Sequence, residues 1–119
     1  RLPIQYALCY PKRIKSPARE LDLFGLKSLS FYPPDLENFP CLRLGIEAQK
    51  RGGTAPAAVN AANEQAVAAF LAGELSFPGI SEMVELALNE AGGDGHSLES
   101  VLKADRAARE LVKDKIQRR

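Results

Sequence analysis

The sequence predicts a mainly α fold: a bundle of about four helices, preceded by a connector that carries one short strand. Three observations predict it. Residues 1–40 hold six of the eight prolines and two alanines, whereas residues 41–119 hold fifteen alanines and eight of the nine glycines. From residue 40 onward, apolar side chains recur at the three- and four-residue spacing of a helix. The loops between those segments are about 2–7 residues long, so consecutive helices pack as neighbours. The domain reading follows: 1–40 connector and strand, 41–119 helical domain.

In the connector, Pro3 through Leu8 suits one or two helical turns, with proline in the first turn where its missing N–H costs little. Pro11 ends it, and residues 12–25, with Lys12, Arg13, Lys15, Pro17 and Gly25, read as an exposed loop. Leu29-Ser30-Phe31 alternates apolar and polar and is stopped by Pro33-Pro34, which predicts a short strand. No second convincing strand exists to satisfy its N–H and C=O groups. That orphan edge either frays or recruits a second copy. With a first residue Arg1 and a single methionine, Met83, the chain reads as part of something larger.

Pro40 opens the first bundle helix through Ala48; Lys50 and Arg51 suit its last turn, and Gly52 supplies a left-handed stop. Asp35 and Glu37 read as charges before its N-terminus. Thr54 is the expected N-cap of the next helix, with Pro56 in the first turn and Gly73 past the end. Val59, Ala62, Ala66, Ala69 and Phe70 are assigned to its buried face. A third helix, about 79–91, places Ile80, Met83, Val84, Ala87 and Leu88 in register and stops at Gly92-Gly93. The fourth starts at Ser97 as N-cap and ends in a mixed-charge tail of Lys113, Asp114, Lys115, Arg118 and Arg119, a solvated face.

The site inventory is short. A net charge of +1 provides no field for nucleic acid or a membrane surface. No apolar run approaches the ~20 residues of a spanning helix, and Arg1 followed by Leu-Pro-Ile-Gln does not read as a leader. Cys9 and Cys41 read as reduced, partly buried thiols of a reducing compartment. His96 is the only histidine, in a glycine-rich loop, and builds no zinc spacing. Gly93-Asp94-Gly95 is a turn rather than a dinucleotide fingerprint. Asn60, Asn63 and Glu64 project from one side of a helix, and read as a buried hydrogen-bond network tying that helix to a neighbour.

Several blocks resemble a known family. Arg1-Leu2-Pro3-Ile4-Gln5-Tyr6-Ala7-Leu8 with Tyr10-Pro11 and Arg13 is similar to the stretch after the catalytic core of the 1-deoxy-D-xylulose 5-phosphate reductoisomerase family. So are Leu29-Ser30-Phe31 with Pro34-Asp35, Phe39-Pro40-Cys41-Leu42-Arg43-Leu44, Gly53-Thr54-Ala55-Pro56-Ala57, and Asn60-Ala61-Ala62-Asn63-Glu64 running on to Gly73 and Phe77. The resemblance spans essentially the whole chain. It implies a parent about three times as long, a homodimer converting 1-deoxy-D-xylulose 5-phosphate to 2-C-methyl-D-erythritol 4-phosphate with NADPH and Mg²⁺ or Mn²⁺, in non-mevalonate isoprenoid biosynthesis. It implies a bacterial cytoplasmic or plastid location. The strand would then belong to the parent's α/β catalytic domain. The family's NADPH loop, metal carboxylates and substrate-binding side chains precede the first residue here. Arg1, Leu2 and Pro3 merely follow the family's active-site flap. The expected inventory is therefore no catalytic, no cofactor-binding and no metal residue, a piece inactive alone, and partners in the upstream catalytic and NADPH-binding domains. The competing reading is an autonomous helical interaction module.

Overall fold

A computed structural model describes residues 2–16 and 19–118. Arg1, the Pro17 of the expected loop and the terminal Arg119 lie outside the described residues. The chain divides into two compact units, Arg1–Pro33 and Pro34–Arg119.

The first unit contains α1 (Leu2–Cys9) and one short turn of helix, α2 (Leu23–Leu26). Helix α1 matches the expected helical turns. Around it, the Gln5 carboxamide donates to the Lys15 carbonyl at 3.1 Å, Tyr6 meets Tyr10 edge-on at 5.8 Å, and the Arg13 guanidinium lies 4.7 Å over the Tyr6 ring. Helix α2 was not expected; the Asp22 carboxylate caps it by accepting from the Gly25 N–H at 2.9 Å. None of the described residues of this unit is buried. Phe24, Phe31 and Tyr32 are 96%, 86% and 83% exposed.

The strand expected at Leu29–Phe31 is not formed, and no strand occurs among the described residues. The alternating pattern is present, but a strand exists only where a second one takes up its N–H and C=O groups. No such partner is provided here.

The second unit begins with a turn built by Asp35, whose carboxylate accepts from the Glu37 and Asn38 N–H groups and, at 2.6 Å, from the Asn38 carboxamide. Asp35 thus shapes the entry to the bundle rather than facing a helix terminus. Four helices follow, as expected: α3 (Pro40–Arg51), α4 (Ala55–Leu71), α5 (Phe77–Glu90) and α6 (Leu98–Gln117). Pro40, Pro56 and Pro78 sit in the first turns of α3, α4 and α5. Ser76 and Ser97 cap α5 and α6, their hydroxyls accepting from the Gly79 and Ser100 N–H groups at 3.2 and 3.1 Å. Gly52, at φ 70°, ends α3 as expected.

Helix α4 is the centre of the unit and packs most extensively on α5 and α6; α3 packs on α4 and α5. Ala58, Ala61, Ala62, Ala66 and Ala69 are its buried residues within the larger core, where they meet Leu75, Ile80, Met83, Ala87, Ala108 and Val112. Small side chains bring the helix axes close, and the larger ones on α5 and α6 fill the space. A second cluster joins Leu44 and Ala48 of α3 to Ala55, Val84 and Leu88. Phe70, expected in this core, stands instead at its edge, 37% exposed, where its ring meets Phe77 edge-on at 5.8 Å. The alanine face alone closes the contact with α5 and α6, which leaves the bulkier ring outside.

Candidate functional site

Among the described residues, the polar and concave features of the helical unit include a charged node, a cleft and a groove. The first is a charged node between α4 and α6. Arg109 donates to both Asp105 oxygens, at 2.9 and 3.1 Å, and to Glu64 at 2.7 Å; the Asn60 carboxamide donates to the other Glu64 oxygen at 3.1 Å. The hydrogen bond from Arg109 holds the Glu64 carboxyl below its ordinary range, with Asn60 adding to the effect, and the same guanidinium lowers that of Asp105. The expected network thus ties α4 to a neighbouring helix, but in contact with solvent: Asn60 and Glu64 are exposed. Asn63 is not part of it.

This node has a predictable pH response. Both carboxyls titrate lower in the folded than in the unfolded chain. Their contribution is complete above about pH 4.5, near the unfolded values, and is lost as pH falls through the lowered folded values. Because the groups remain in contact with solvent, the contribution is small. The Tm difference between the wild-type chain and Arg109→Leu, followed by circular dichroism from pH 7 to pH 3, is expected to shrink on acidification. A difference that grows on acidification would contradict this assignment.

The second feature is a cleft of about 500 Å³ whose lining includes Thr54, Ala58, Ala87, Glu90, Lys103 and Ala107. Thr54 occupies the cap position of α4, as expected, yet its hydroxyl makes no capping bond. Its N–H donates to the Gly93 carbonyl at 3.2 Å, and the residue sits in helical rather than extended backbone, the wrong geometry for a capping side chain. Its Oγ1 is buried without a hydrogen-bond partner.

The third feature is a groove of about 460 Å³ at the N-terminal ends of α3 and α5, lined by residues that include Phe39, Cys41, Asn63, Val67 and Phe77. Cys41 and Cys9 are both free thiols, and both are half-buried as expected; burial pushes the Cys41 thiol up. His96 is exposed in the α5–α6 loop, its backbone N–H donating to the Asp94 carboxylate at 3.0 Å. Among the described residues no three His, Cys, Asp or Glu side chains stand close enough together to hold a metal ion, and no helix is long and apolar enough to cross a membrane.

Comparisons with known proteins add what the geometry lacks. The family model described as the DXP reductoisomerase C-terminal domain matches residues 1–111. The chain is 50% identical over 113 residues to the 1-deoxy-D-xylulose 5-phosphate reductoisomerase of Methylococcus capsulatus, covering 94% of this chain and 29% of that protein. To its counterpart in Geobacillus kaustophilus it is 49% identical, covering 95% and 30%. The solved structure of the Zymomonas mobilis enzyme in complex with NADPH superimposes with a TM-score of 0.82 at 41% identity, over 97% of this chain and 31% of that one. A reductoisomerase structure with fosmidomycin and magnesium gives 0.81 at 38% identity and the same coverage. The chain thus spans less than a third of the length of these relatives.

Proposed function

The chain belongs to the DXP reductoisomerase C-terminal domain family, and from that premise we propose that it is the helical support of an enzyme converting 1-deoxy-D-xylulose 5-phosphate to 2-C-methyl-D-erythritol 4-phosphate. The observation that carries this reading is the match over residues 1–111, set against relatives more than three times as long. In this reading the parent is a cytoplasmic or plastid homodimer of the non-mevalonate isoprenoid route. Residues 1–40 connect to its catalytic domain and residues 41–119 form the supporting domain; within the connector, residues 34–40 already belong to the compact helical unit.

NADPH and a divalent cation are supplied upstream. The residues present do not fit either group: the one Gly-x-Gly, at Gly93 and Gly95, is packed against backbone in a loop, and no cluster of three metal-ligating side chains occurs among the described residues. Hydride transfer needs a bound donor and a hydroxyketone rearrangement needs converging oxygen ligands. The chain contributes no catalytic, cofactor-binding or metal residue. Its part is mechanical. The bundle has its own core, whereas the first unit, with no buried residue among those described, takes its order from outside. Neither nucleic acid nor a membrane is a partner.

The 119-residue chain, given 1-deoxy-D-xylulose 5-phosphate, NADPH and Mn²⁺, is expected to give no NADPH oxidation. Turnover that scales with chain concentration in a highly purified sample would overturn the reading.

A further inference from the structure

We infer that the groove at the N-terminal ends of α3 and α5 is the face on which the upstream catalytic portion of the longer protein docks, through an apolar, uncharged segment of its surface. The inference rests on the reading above and adds to it a contact surface.

Several observations single this face out. Phe39 and Phe77, both 59% exposed, line a groove of about 460 Å³ together with Cys41 and Val67. Phe70, edge-on to Phe77, extends the aromatic surface beyond the groove. Large aromatic groups exposed together around one concavity mark an interaction site rather than ordinary surface. The only charged lining residue is Glu37, so a charged partner surface would lose hydration without repayment. Asn63 also lines the groove, and its carboxamide has no hydrogen-bond partner among the described residues. A carboxamide offers two donors and an acceptor, which suits the backbone of an extended segment.

The occupant is identified by what surrounds the chain in its relatives: about 70% of each lies outside the match, and the match is to a C-terminal domain. The two other polar features do not compete. The Arg109 node is already satisfied internally, and Thr54 Oγ1 has almost no exposed surface with which to meet a partner domain.

Cys41 reports on the groove. The test joins this chain, in place of the 113 matched residues, to the upstream part of the Methylococcus capsulatus relative, and follows iodoacetamide alkylation of Cys41 by peptide mass mapping. Cys41 is expected to react at least about tenfold more slowly in the chimera than in the 119-residue chain. Phe39→Asp with Phe77→Asp in the chimera is expected to restore the fast rate. Equal rates in chimera and isolated chain, in a chimera whose turnover requires the helical unit, would overturn this inference alone. If the upstream part turned over equally well without the chain, the supporting role itself would fall. Slowing in the isolated chain that grows with its concentration would assign the groove to a second copy and overturn the proposal.

Discussion

Leu88→Ala is expected to lower the unfolding free energy of the helical unit by about 3–5 kcal/mol, the cost of an unfilled cavity at a fully packed leucine. Leu88 is 1% exposed and packs in one cluster with Leu44, Ala48, Ala55 and Val84, so it fastens α5 to both α3 and α4. The backbone is fastened at the same place: the Arg51 guanidinium donates to the Leu88 carbonyl while pairing with Glu47 at 3.0 Å. A side chain from the end of α3 thereby adds a second donor to a carbonyl at the end of α5 that otherwise accepts only the long bond from the Ala91 N–H, at 3.4 Å. In a unit of this size the loss corresponds to roughly 12–40 °C in Tm. Lys113→Ala, on the exposed face of α6, is expected to stay within about 0.5 kcal/mol. Urea unfolding followed by circular dichroism compares the two; equal shifts would contradict the core described here.

Gly53→Ala is expected to cost about 3 kcal/mol or more, because two penalties coincide. Gly53 has φ 57°, where a side chain costs about 1–2 kcal/mol. Its Cβ would also fall on the Gly93 carbonyl oxygen, a backbone atom that cannot swing aside. The approach is mutual: a Cβ on Gly95 would lie 2.6 Å from the Gly53 carbonyl carbon. The α3–α4 and α5–α6 loops therefore meet backbone to backbone, joined by the hydrogen bond from Thr54 to Gly93. Gly73, at φ 78° with open space beside it, separates the two penalties. Gly73→Ala is expected to cost about 1–2 kcal/mol, from the backbone alone. If both variants unfold at the same urea concentration, the loops are not in contact.

Much of the bundle was legible because its signals are local. Pro40, Gly52, Pro56 and Ser97 act within a few residues of themselves, and each stands where it was expected. The Ser76 cap lies outside the expected 79–91 span, because the apolar register of α5 begins only at Ile80, past the Phe77 and Pro78 that open the helix. Phe70 was misplaced because α4 is apolar on most sides, and a stripe that wide does not say which edge faces out. The strand failed for the opposite reason: alternation is local, but pairing is not. The contacts that assemble the unit join distant positions, Arg109 to Glu64 across 45 residues and Arg51 to Leu88 across 37. No periodicity connects such pairs. At the candidate site, the family blocks were legible as a resemblance, whereas the division of Asn60 and Glu64 from Asn63 depends on how α4 is rotated between its neighbours.

The most direct test of a supporting role compares NADPH oxidation, with 1-deoxy-D-xylulose 5-phosphate and Mn²⁺, by the upstream part of the Methylococcus capsulatus relative alone and by the same part joined to this chain. Turnover is expected from the joined protein, and at most a small fraction of it from the upstream part. Equal turnover from the two would show that the helical domain supports nothing the reaction needs.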